Sequence, residues 1–199
     1  MSDLRGDINF LYEMGNIRFI QRMWRRFLNG DFANLADHHF RVFWIAMIIG
    51  EREGADLGKV AKLAMLHDIA ESRTGDVDYL ARQYVDRHEE MAINDMLGET
   101  SIKEEFLALW KEYEIRESLE SRVVKDADNI EVDMELREQL AKGYELGTIW
   151  KEKRAIVAKN HLYTDTARAI AEQIPDSDPH AWHNESKRNR SNGGDWKTK

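Results

Sequence analysis

The sequence predicts an all-α fold, and three observations carry that prediction. Its only prolines are Pro175 and Pro179, so residues 1–174 lack the residue that most strongly breaks helices. Between punctuating glycines, apolar residues recur mostly at three-to-four spacing, the period of a helix with one buried face. No internal repeat and no strand-like alternation competes with that pattern. At 199 residues the chain has the size of one domain. We expect six or seven helices in a compact bundle over 1–174, followed by a flexible tail over 175–199.

The first helix is expected over about 7–28, carrying Phe10, Leu11, Met14, Ile17, Ile20, Met23, Trp24 and Phe27, with Gly15 as a point of interruption and Arg18, Arg22, Arg25 and Arg26 on its charged face. The second, over 36–51, is apolar almost all round after its first turn (Val42 through Ile49), which predicts a helix buried on most sides. A third starts at Asp56 as N-cap and runs through Val60, Leu63, Ala64, Leu66 and Ile69 until Thr74-Gly75-Asp76 breaks it. Further helices are expected over 78–97, 102–115, 117–146 and 152–174. After Pro175 the composition turns rich in Ser, Asn, Gly and Lys, too polar to offset the entropy of ordering.

Charge and residue usage narrow the chemistry. With 29 basic and 37 acidic side chains, the net charge of -8 argues against an electrostatic grip on nucleic acid or an anionic membrane. The longest apolar run, Phe43 to Ile49, is far too short to cross a bilayer. The N-terminus lacks a signal-peptide pattern, so a cytoplasmic address is expected. Cysteine is absent, which leaves imidazole and carboxylate as the strong metal ligands.

His67 lies on the apolar line of Val60, Leu63 and Ala64, so a titratable ring faces the core beside Asp68. A His-Asp pair means little alone, since about 0.6 are expected by chance in this composition. His38, in the first turn of the buried second helix, is a polar ring that needs a partner, and a metal would satisfy it. The pair 67–68 follows on the next helix, where a helical hairpin brings all three groups together. Asp126 and Asp128 both lie in the apolar pattern of Val124, Ala127 and Ile130, and helical spacing does not separate them. Two imidazoles and two carboxylates from three helices would form a cage for a divalent ion.

His38, His67-Asp68 and Asp128 reproduce the signature H…HD…D, and in this the sequence resembles the HD-domain superfamily of metal-dependent phosphohydrolases. Ala36-Asp37-His38, His67-Asp68-Ile69-Ala70-Glu71 followed by Gly75-Asp76, and Lys125-Asp126-Ala127-Asp128 are similar to segments of its 5'-deoxynucleotidase branch, over roughly 8–172. The resemblance implies Asp128 as ligand and leaves Asp126 solvated. It implies His38 rather than His39, which becomes a neighbour or a packing residue. It implies Glu71 and Asp76 as the catalytic carboxylates, and Arg22 and Trp24 as nucleotide contacts, with Arg25 and Arg26 as competitors for phosphate. One divalent ion (Mn, Co, Fe, Ni or Zn), a nucleotide substrate and a homodimer are implied with it. His88, His161, His180 and His183 are assigned no role. Two rivals remain: a related hydrolase of guanosine tetraphosphate or cyclic nucleotides, disfavoured by Ala70, Glu71 and Ser72, and a non-catalytic binding module, disfavoured by the extra acids.

Overall fold

The computed structural model describes residues 3–27 and 32–189. Among these, α1 (Arg5–Asn16), α2 (Leu35–Glu53), α3 (Leu57–Leu66), α4 (Glu71–Thr74), α5 (Glu89–Leu97), α6 (Lys103–Ile115), α7 (Leu119–Ala141), α8 (Leu146–Asn160), α9 (Asp165–Gln173) and α10 (Ala181–Asn184) are joined by short 3₁₀ turns, with no strand. The all-α expectation holds. The larger number of helices comes from two four-residue turns and from breaks within expected helices.

α2 and α7 form the centre, packed on each other and on α3. Val42, Ala46 and Ile49 of α2 meet Val60, Leu63 and Ala64 of α3 and Val123, Val124, Ala127 and Ile130 of α7, in a core completed by Ile93, Leu97 and Tyr113. Each such large aliphatic side chain contributes roughly 1.5–3 kcal/mol by leaving water. The α2–α3 hairpin turns at Gly54, whose φ of 74° closes α2 in the left-handed region that favours glycine. Asp56 caps α3 as expected, accepting from the N–H groups of Gly58 and Lys59 at 2.9 and 3.2 Å.

Four expectations are corrected. The helix foreseen over 7–28 stops at Asn16, and Ile17–Phe19 and Met23–Arg26 form 3₁₀ turns. A tertiary pairing overrides the helical period there: Gln21 bridges Asn34, and the Leu35 N–H donates to the Ile20 carbonyl at 2.9 Å. α2 is buried on most sides as expected, with Phe40, Trp44 and Ile48, 68, 54 and 54 % exposed, along its one open stripe. Only the second half of the segment 78–97 is helical. The last helix is two, α8 and α9, and the break has a cause: Asp126, expected in solvent, is buried and accepts from the Tyr163 N–H, the Thr164 N–H and the Thr164 hydroxyl at 2.8, 2.8 and 2.7 Å. Thr164 in turn caps α9 through the Ala167 N–H.

Within the segment expected as tail, Ile174–Asp176 is a 3₁₀ turn and Ala181–Asn184 a short helix. Positions 190–199 lie outside the described residues, as does Gly30. Among the described residues no helix is long and apolar enough to cross a membrane.

Candidate metal centre and active site

The first turn of α2 is fixed by a capping box. Asn34 Oδ1 accepts from the Asp37 N–H at 3.0 Å, and Asp37 Oδ2 accepts from the Asn34 N–H at 3.2 Å. That sets the orientation of His38, which is wholly buried against α7. α3 ends at Leu66, so His67 and Asp68 sit where the chain leaves the helix and turns toward α4. Asp128 comes from the middle of α7. One ligand atom from each of these four side chains lies within 4.8 Å of all the others. His38 Nε2 is 3.3 Å from His67 Nε2 and from Asp128 Oδ1, while Asp68 Oδ2 is 3.3 Å from His67 Nε2 and 3.7 Å from His38 Nε2. The structure therefore brings together all four groups that the sequence singled out.

The outer nitrogens of both rings are already engaged. His67 Nδ1 donates to the Ala64 carbonyl at 2.8 Å, and His38 Nδ1 donates to Glu131 Oε2 at 2.7 Å. Both Nε2 atoms are left to face each other and the two carboxylates. Burial and Arg22 lower the pKa of His38, yet Glu131, Asp128 and Asp68 outweigh them and push it well above the ordinary range. Against the opposing effect of burial, His67 and His38 hold the Asp68 carboxyl well below its ordinary range, and Lys125 and His38 do the same for Asp128. A centre that favours two ionised acids around two imidazole nitrogens demands positive charge, and nitrogen and oxygen donors of this kind suit a divalent ion.

His67, Asp68 and Asp128 line the floor of a cavity of about 270 Å³, with His38 wholly buried beneath them. Gly75, at φ 75°, reverses the chain after α4 and turns Asp76 back toward the floor. Asp76 Oδ2 accepts from the Met23 N–H at 3.0 Å and lies 3.3 Å from Arg22 Nη1, which is also 3.9 Å from Asp68 Oδ2. Arg22 is buried, and although burial disfavours its charge, Asp76 and the other acids stabilise it further. Glu71 opens α4, buried, with Oε1 3.6 Å from Arg87 and Oε2 without a partner. Burial, together with Asp68 and Asp76, drives its pKa well above the ordinary carboxyl range. Trp24 is buried edge-on against Trp150 at 4.9 Å, in the wall shared with a second cavity of about 470 Å³ that Phe27, Tyr79 and Trp150 also line. Arg25 and Arg26 point elsewhere, to Gln21 and Asp78.

His39 stacks on His67 at 4.4 Å, with neither ring nitrogen hydrogen bonded. Burial and the flanking imidazoles keep it neutral. His88 and His161 are exposed. Sequence reasoning missed Glu131, although an acid three residues after Asp128 on a buried helical face was a readable signal. It also gave no part to Arg87, Arg116 or Arg154, which reach the cavity only through the way the helices pack.

The HD-domain family model matches residues 14–170, which contain every group of the floor. The chain belongs to the HD-domain family. Among relatives, the human 5'-deoxynucleotidase HDDC2 is 29% identical over 141 residues, covering 67% of this chain and 68% of that protein. The Danio rerio 5'-deoxynucleotidase HDDC2 is 30% identical over 110 residues, so this HD domain matches about half of its length, 54%, with 53% of its own. A conserved hypothetical protein from Pyrococcus furiosus has the same HD fold at a TM-score of 0.69 and 26% identity, covering 85% of this chain and 99% of that one. The family resemblance read from H…HD…D thus holds over nearly all of the helical body.

Proposed function

We propose that the protein is a metal-dependent phosphomonoesterase that converts deoxyribonucleoside 5'-monophosphates to deoxynucleosides and phosphate. The observation that carries this reading is the convergence of His38, His67, Asp68 and Asp128 within 4.8 Å at the floor of a cavity that also holds Glu71, Asp76 and Arg22. The named 5'-deoxynucleotidase relatives support the substrate class.

His38, His67, Asp68 and Asp128 would hold one divalent ion, with Mn, Co, Fe, Ni or Zn all compatible with the donor set. When bound, such an ion neutralises phosphoryl charge and lowers the pKa of water. Arg22 and Lys125, which both line the cavity, would meet phosphoryl oxygens. Glu71, its pKa raised by burial and by Asp68 and Asp76, would hand a proton to the departing 5'-oxygen. Asp76, held by Arg22 and the Met23 N–H, would orient water or sugar. The aromatic cavity beyond Trp24 offers faces for the base, a reason to favour a nucleotide over a smaller phosphate ester.

The test is a phosphate-release panel of nucleoside monophosphates, run with each divalent ion after chelation. Release from deoxynucleoside monophosphates, but not from guanosine tetraphosphate or cyclic diesters, is expected. Silence in every combination would favour a binding module instead. A cytoplasmic enzyme working as a homodimer completes the proposal, with the exposed stripe Phe40, Trp44 and Ile48 of α2 as the self-association surface. Trp44→Glu should then lower the mass measured by light scattering to that of a monomer.

A further inference from the structure

Glu131 is not among the four converging groups, yet it touches one of them. It lies three residues after Asp128 on α7, is 3 % exposed, and takes the His38 Nδ1 proton at 2.7 Å. A buried carboxylate is costly unless it is paired. Its pairing comes from Arg41, three residues after His38 on α2, which lies 3.9 Å from Glu131 Oε1, 3.5 Å from Glu135 and 2.9 Å from Glu138. One guanidinium thus serves three acids of α7, while Glu131 Oε1 itself has no hydrogen-bond partner. Hydrophobic packing alone gives no reason to keep an acid there.

The two rings of the centre are held differently. His67 donates to a neutral backbone carbonyl, which any sequence would supply, whereas His38 donates to an anion. A charged acceptor pulls the Nδ1 proton toward itself, leaves more electron density on Nε2, and makes that nitrogen the stronger donor to a cation. We propose that Glu131, braced by Arg41, is a positioning residue for cation binding: it fixes His38 with Nε2 toward the cluster and strengthens it as a ligand. This rests on the reading of the four groups as a cation site.

The test uses the full chain, Mn²⁺ titration by calorimetry, and imidazole resonances of the Zn²⁺-loaded protein. Wild type should bind Mn²⁺, Glu131→Ala about 10–100-fold more weakly. Glu131→Gln, which keeps an acceptor without the charge, should fall between them. In the Zn²⁺-loaded wild type, the His38 Nδ1 proton should be shifted far downfield and slow to exchange, and in Glu131→Ala that signal should vanish while the His67 signal stays. If Glu131→Ala fails to fold, the wild-type resonance and Arg41→Met, at a partly exposed position, decide the matter, with weaker Mn²⁺ binding expected for the latter. Unchanged Mn²⁺ affinity in Glu131→Ala, or a His38 ring protonated on Nε2 in the loaded wild type, overturns the inference. A wild type that binds no divalent ion overturns the metal reading itself, a separate and recognisable result.

Discussion

Burial and the adjacent Asp68 and Asp76 carboxylates raise the pKa of Glu71 well above the ordinary carboxyl range, so its part in turnover has a defined pH dependence. If the protonated form donates to the leaving oxygen, kcat falls as pH rises through the raised pKa of Glu71. Asp76→Asn removes one of the charges that raise it, and should move that alkaline limb to lower pH. Glu71→Gln should lower kcat by about 10²–10⁴-fold while leaving Mn²⁺ affinity in place. Its stability should change in the opposite sense. Because the folded-state pKa lies above the unfolded one, the native chain binds an extra proton between the two and loses stability as pH rises through that window. The glutamine has no such loss, and its Tm should exceed that of wild type at alkaline pH. Among single residues, His67 was legible because it puts a ring on an apolar helical face, whereas the choice of His38 over His39 and of Asp128 over Asp126 rested on the resemblance. Glu131 lies on the same buried face of α7 as Asp128 and obeys the same logic as His67.

The break between α8 and α9 belongs to the scale of the element. Thr164 is a local start signal for α9, but the apolar period of 152–174 runs on through the break. Asp126 of α7 stops it by taking the backbone N–H groups of Tyr163 and Thr164, an interaction across 37 and 38 residues of chain. Asp126→Ala strands two N–H donors and a hydroxyl in a buried place, and should destabilise the fold by about 3 kcal/mol in urea denaturation. Divalent-ion affinity should hardly change, since Asp126 faces away from the cluster. The same distinction applies to the N-terminal segment, where the pairing of Ile20 and Gln21 with Asn34 and Leu35 ends a helix that the periodicity would continue. Asp56 was read correctly as the cap that starts α3 because a start signal is local, whereas α3 ends at Leu66, short of the expected break at Thr74.

For the whole molecule, the centre joins α2, the end of α3 and α7, so filling it should stabilise the packing of all three. A divalent ion present at about a hundred times its Kd should add about 2.7 kcal/mol to unfolding, seen as a rise in Tm that a chelator reverses. A chelator that abolishes phosphate release without any effect on Tm would point to an ion held by substrate rather than by the fold. What the sequence determined by itself was the helical class, the apolar faces that make the core, and which imidazoles and acids face inward, because side-chain period and proline placement act within a few residues. Tertiary structure alone decided where helices end without a local signal, that Asp126 clamps a distant turn instead of meeting solvent, and how Glu131, Arg22 and Arg41 reach the centre. Those outcomes depend on partners far apart in the chain, and a carboxylate's role in a low-dielectric interior is set by whichever charge or N–H group packing happens to bring beside it.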